Sequence, residues 1–67
     1  MFYVIEIASG DPAISGKAVY EYADKTKAEA AYHKKIGTAM DSELYTAHTA
    51  IIIDNEGAVY GSHYFAR

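Results

Sequence analysis

The segment IIIDNEGAVYGSHYFAR, from Ile51 to Arg67, crowds Tyr60, His63, Tyr64 and Phe65 into one short stretch. An imidazole beside a phenol can move protons, with the ring nitrogen accepting and the hydroxyl donating or orienting. His48 and Tyr64 form such a pair if the two strands that hold them lie side by side. The same two residues would equally serve as a hydrogen-bonded contact in an interface. The three histidines raise the question of a metal. Cysteine is absent and no helical His-x-x-x-His spacing exists, so no metal site is expected. His33 falls on a helix, and the expected strand register puts His48 and His63 on opposite faces of a sheet.

The carboxylates assign no chemistry either. Glu6 and Glu21 can approach each other on neighbouring strands, with Lys17 at hand to compensate, while Asp54 and Glu56 belong to a turn. There is no Gly-x-Ser-x-Gly and no phosphate-binding loop. SGDPAISG has glycines but neither the lysine nor the strand–helix context such a loop requires. No catalytic residue and no cofactor are assigned.

The elements that must position these residues are short and legible. FYVIEIA (Phe2–Ala8) is dense in β-branched and aromatic residues, as strands are. Its odd positions Tyr3, Ile5 and Ile7 are uniformly apolar and are expected to meet the core, opposite Phe2, Val4 and Glu6. After SGDPAISG, KAVYEYA (Lys17–Ala23) alternates, with Ala18, Tyr20 and Tyr22 on one side and Lys17, Val19 and Glu21 on the wetter one. These two strands are expected to form an antiparallel hairpin.

From Asp24 the period changes. Ala28, Ala31, Tyr32, Ile36, Ala39 and Met40 recur at three and four residues, one stripe of a helix. Asp24 suits the N-cap, with Thr26 and Glu29 offering a competing capping box. Gly37 is either a C-cap or an interior residue costing about 1 kcal/mol. The continuing stripe favours a helix that ends near Asp41. LYTAHTAIII and AVYGSHYFA then make a second hairpin about DNEG, with Gly57 left-handed. That turn sets Ile53 against Val59, and a regular ladder from there would set Ile51 against Gly61 and His48 against Tyr64.

The order ββαββ predicts an α+β protein, a four-stranded antiparallel sheet with one helix on one face, and residues 1–67 form a single small domain. Such a chain gains only roughly 3–5 kcal/mol from its core and usually has a further source of stability. Without cysteine, oligomerisation is the simplest one. The formal net charge of −3 argues against nucleic acid, which demands clustered cations. No stretch approaches the ~20 apolar residues of a membrane span. MFYVIEIAS, with Glu6 in its apolar run, reads as a strand rather than a secretion signal. A cytoplasmic protein is expected.

One helix covers one face of a sheet, yet both faces here read apolar. The face with Ile51, Ile53, Val59 and Phe65 is the more aliphatic and is assigned to the helix. Phe2, Val4, Ile52, Tyr60 and Tyr64, with His48 among them, are then expected to form a second, uncovered face. Such a face is typical of protein interfaces.

FYVIEI, YADKTKAEAAYHKKI and IIIDNEGAVY resemble, in layout, short uncharacterised ββαββ-type proteins of Gram-positive bacteria and their mobile elements. The resemblance implies no activity. A looser likeness, to dimeric α+β barrel proteins, implies sheets paired face to face, at times around a ligand. The expectation is a homo-oligomer, with a dimer favoured, acting as a protein-interaction or adaptor module through a sheet face or a strand edge, with an unknown protein as a further possible partner. The alternative is a small-ligand-binding protein or enzyme with its pocket at the subunit interface, beside His48 and Tyr64.

Overall fold

A computed structural model describes every residue from Met1 to Arg67. Strands β1 (Phe2–Gly10) and β2 (Gly16–Tyr22) precede helix α1 (Lys25–Asp41), and β3 (Tyr45–Asp54) and β4 (Val59–Ala66) follow it. The strands form one antiparallel sheet in the order β2-β1-β3-β4. The expected α+β layout is therefore present, with the helix against one face of the sheet. β1 and β3 are the inner strands, which suits their β-branched runs.

Side chains alternate across the pleat, so register decides which residues share a face. On the helix side, Tyr20, Val4 and Ile52 lie in one row, Ala18, Glu6, Ala50 and His63 in the next, and Gly16, Ala8, His48 and Phe65 in a third. On the other side the rows are Glu21, Tyr3, Ile53 and Val59; Val19, Ile5, Ile51 and Ser62; and Lys17, Ile7, Thr49 and Tyr64.

This inverts the expected placement of the inner strands. Val4 and Ile52 are fully buried beneath the helix, whereas Tyr3, Ile5, Ile51 and Ile53 line the uncovered side. The physical reason is volume. The helix meets the sheet through Ala28, Tyr32 and Ala39, with Ile36 at their margin, and Tyr32 is the bulky one. Its ring seats over Gly61, where an added Cβ would lie 3.2 Å from the Tyr32 ring. A face with Ala8, Ala50 and Gly61 admits a helix closely, while one with four isoleucines holds it away.

The helix starts as expected. Asp24 Oδ1 accepts from the Thr26 N–H at 2.7 Å, satisfying one free donor of the first turn. It runs through Gly37 to Asp41. Met40, expected in the buried stripe, is exposed, and Ala39 closes the stripe instead.

The second hairpin departs from a regular ladder. The Gly57 turn forms as expected, at φ 86°, with the Asp54 N–H donating to Ala58 O and the Gly57 N–H to Asp54 O. Ile53 then pairs with Val59, but Ile52 pairs with Gly61, so Tyr60 is an extra residue in a bulge. Every pair beyond it shifts by one: His48 faces Phe65, and Thr49 faces Tyr64.

Candidate functional site

The uncovered side of the sheet is the largest feature without a partner inside the chain. Tyr3, Ile5, Ile51 and Ile53 are half-buried by one another, and Ile7, Val19, Val59 and Tyr64 surround them, with Val59 63 % and Tyr64 65 % exposed. Antiparallel sheets that face water usually read polar on that side. The only charges in these rows are Lys17 and Glu21, both on the edge strand β2. The face is thus charge-balanced in a chain whose net charge is −3.

Of the six residues expected to build an uncovered face, only Tyr64 lies on it. Val4, Ile52 and His48 are buried under the helix, and Phe2 is half-buried there at the margin of the same cluster. Tyr60 sits at the hairpin corner on the helix side, its ring 5.7 Å from that of Phe2 and capped by Lys25 Nζ at 4.5 Å. The bulge carries Tyr60 there, since two consecutive residues then oppose Ile52. The aromatics of the last strand do divide between faces, with Phe65 toward the helix and Tyr64 away.

The acid–base couple His48–Tyr64 is not formed, because the sheet separates the two side chains. The histidine has another partner. His48 Nε2 lies 2.8 Å from Glu6 Oε2, diagonally across the two central strands. His48 is only 1 % exposed, and its Nδ1 has no hydrogen-bonding partner. A neutral ring with its proton on Nε2 donates to the carboxylate and leaves Nδ1 as an unused acceptor. Tyr45 and Phe65 pack around the imidazole, with ring centroids at 5.6 and 5.8 Å. His63 shares this face with His48, contrary to the expected opposition, and its Nδ1 is likewise buried without a partner. No group of three potential metal ligands gathers anywhere in the chain.

Two polar contacts at the surface complete the electrostatics. The Tyr60 hydroxyl donates to Asp54 Oδ2 at 2.8 Å. That hydrogen bond, with help from the Ala58 N–H, holds the Asp54 carboxyl below its usual range and raises the Tyr60 phenol above its own. Burial likewise pushes the Tyr32 phenol up. At the other end of the molecule, the Arg67 guanidinium donates to the carbonyls of Met40, Ser42 and Tyr45. α1 has no basic residue in its last turn, so Arg67, distant in sequence, supplies that charge from just beyond β4.

Comparison with protein-family models, with curated proteins and with solved structures finds no match to this chain. No helix is long and apolar enough to cross a membrane.

Proposed function

We propose that this protein is a small cytoplasmic interaction module that pairs with a second copy of itself through the uncovered side of its sheet. The observation that supports this reading is the continuous apolar surface of Tyr3, Ile5, Ile7, Ile51, Ile53, Val59 and Tyr64 on the side opposite the helix. Patches of this kind on single-domain proteins mark interaction sites.

Charge and area favour a second copy as the occupant. Lys17 and Glu21 cancel, so two copies bring no net like charge to the contact, and a two-fold arrangement can set one against the other. The Cα trace measures 32 × 17 × 17 Å, which gives the face on the order of 500 Å² in projection. Specific interfaces bury about 800 Å² of accessible surface per partner, and a corrugated side-chain surface exceeds its projection. The contact therefore falls toward the smaller end of specific interfaces, and the dimer should be reversible.

The apolar centre offers no chemistry, which makes assembly itself, or presentation of the helix side to another protein, the function that fits. Light scattering over a dilution series tests the assembly. The wild type should weigh twice the chain mass when concentrated and fall toward it on dilution. Ile51→Asp should remain monomeric throughout, with its far-ultraviolet circular dichroism retained. A wild type that is monomeric at every concentration would overturn self-pairing. An Ile51→Asp variant that still dimerises would move the contact to a strand edge.

A further inference from the structure

On the helix side, away from the face described above, α1 and the sheet leave an open cleft of about 450 Å³. That volume lies within the range of small-molecule sites. Glu6 reaches it from β1, Tyr22 from β2 and Tyr45 from β3, while Lys34 and Lys35 reach it from the helix. The charges here are opposite, yet they do not close on one another. No lysine or arginine lies within 4.0 Å of a carboxylate, and the only contact of a basic with an acidic side chain is the hydrogen bond of His48 with Glu6. Lys35 rests its ammonium over the Tyr20 ring at 3.6 Å, and Lys34 has no anionic partner. Glu6 uses Oε2 for His48, and its Oε1 accepts no hydrogen bond from the protein.

Opposite charges that line one cleft without pairing suit a molecule that is itself a dipole. We propose that this cleft binds a small zwitterion of the amino-acid class, with its ammonium on Glu6 and its carboxylate toward Lys34. Glu6 is suited to the first role because His48 fixes its carboxylate from below. The imidazole is buried, with the Tyr45 and Phe65 rings packed against it, and it holds one oxygen of a carboxylate that lines the cleft. An ionised carboxylate is an acceptor only, so the group that meets it must be a donor. Lys34 is a point charge with no acceptor capacity, so its counterpart must be an anion. Tyr22 and Tyr45 offer aromatic walls for an apolar side chain, and Thr38 lines the same cleft. The site faces the helix, so occupancy does not depend on self-pairing through the other face.

L-phenylalanine serves as the probe, with 3-phenylpropionate and phenethylamine as halves that lack the ammonium and the carboxylate respectively. In an amide-resolved NMR titration, L-phenylalanine should give saturable shifts at Glu6, Lys34, Thr38 and Tyr45. Each half-molecule should bind at least about tenfold more weakly, the loss of one charged hydrogen bond. Glu6→Gln should weaken the probe by a similar factor while keeping an oxygen for His48 to donate to, and Lys34→Ala, on the exposed helix, should do so independently. Absence of saturable shifts would overturn the proposal. So would equal binding of the two halves and the intact probe, equal shifts from inorganic phosphate, or variants that bind as the wild type does.

Discussion

The Tyr60 hydroxyl reaches back across the turn to Asp54, 2.8 Å from Oδ2, while Oδ1 of the same carboxylate accepts from the Glu56 and Ala58 N–H groups. One aspartate thus ties together the end of β3, the turn and the bulge that begins β4. The bulge allows this, because it turns Tyr60 toward the side on which Asp54 lies.

This contact predicts a two-sided pH dependence. Asp54 titrates lower when folded than its usual 3.8, so its contribution to stability is present above that value and is lost as pH falls through the folded value. Tyr60 titrates above its usual 10.0, so its contribution is present below pH 10 and is lost as pH rises through the folded value. In Tyr60→Phe the Asp54 titration, followed by carboxyl NMR, should move up toward 3.8, because the hydrogen bond that does most to hold the carboxyl down is gone. An unmoved titration would show that the backbone donors alone hold it down.

Arg67 is expected to stabilise the end of the helix. Its guanidinium meets the carbonyls of Met40 in the last turn of α1, of the C-cap Ser42 and of Tyr45 at the start of β3, and its charge suits that end of the dipole. Arg67→Ala should cost about 1 kcal/mol in urea unfolding. Arg67→Lys should recover only part of this, since an ammonium lacks the planar fork that spans three carbonyls. Amide exchange should quicken in the last turn of α1 and leave the Asp24 end unchanged. Uniform quickening along the helix would argue against a local role.

Gly61 is expected to resist enlargement. A Cβ there would lie 3.2 Å from Tyr32 Cζ and Oη and 3.3 Å from Ile52 Cγ2. Gly61→Val should therefore destabilise by about 1–3 kcal/mol through overpacking. Combining it with Tyr32→Leu should cost less than the sum of the two single changes, because the shorter side chain vacates the space. Strict additivity in thermal or urea unfolding would show that the two residues do not share this space.

Much of the architecture was legible in the chain. The alternating runs marked the strands, the change of period marked the helix, and Asp24 and Gly57 marked a cap and a turn, because these signals act within a few residues. The existence of an uncovered apolar face was legible too, since one helix covers one side whichever side it takes. The choice of side was not. Two features that local periodicity does not report decided it: the seat that Gly61 offers Tyr32, and the extra residue at Tyr60 that shifts every later pair. His48 shows the consequence. Its alternation placed it on a strand and its type suggested chemistry, but the register gave it Phe65 in place of Tyr64 and, diagonally, Glu6. Arg67 shows the same limit at longer range. Its role depends on β4 ending beside the last turn of α1, a proximity set by the sheet order and not by any spacing along the chain. Local propensity thus determined the elements of this protein, and close packing of side chains distant in sequence decided which face the helix covers and which residues meet.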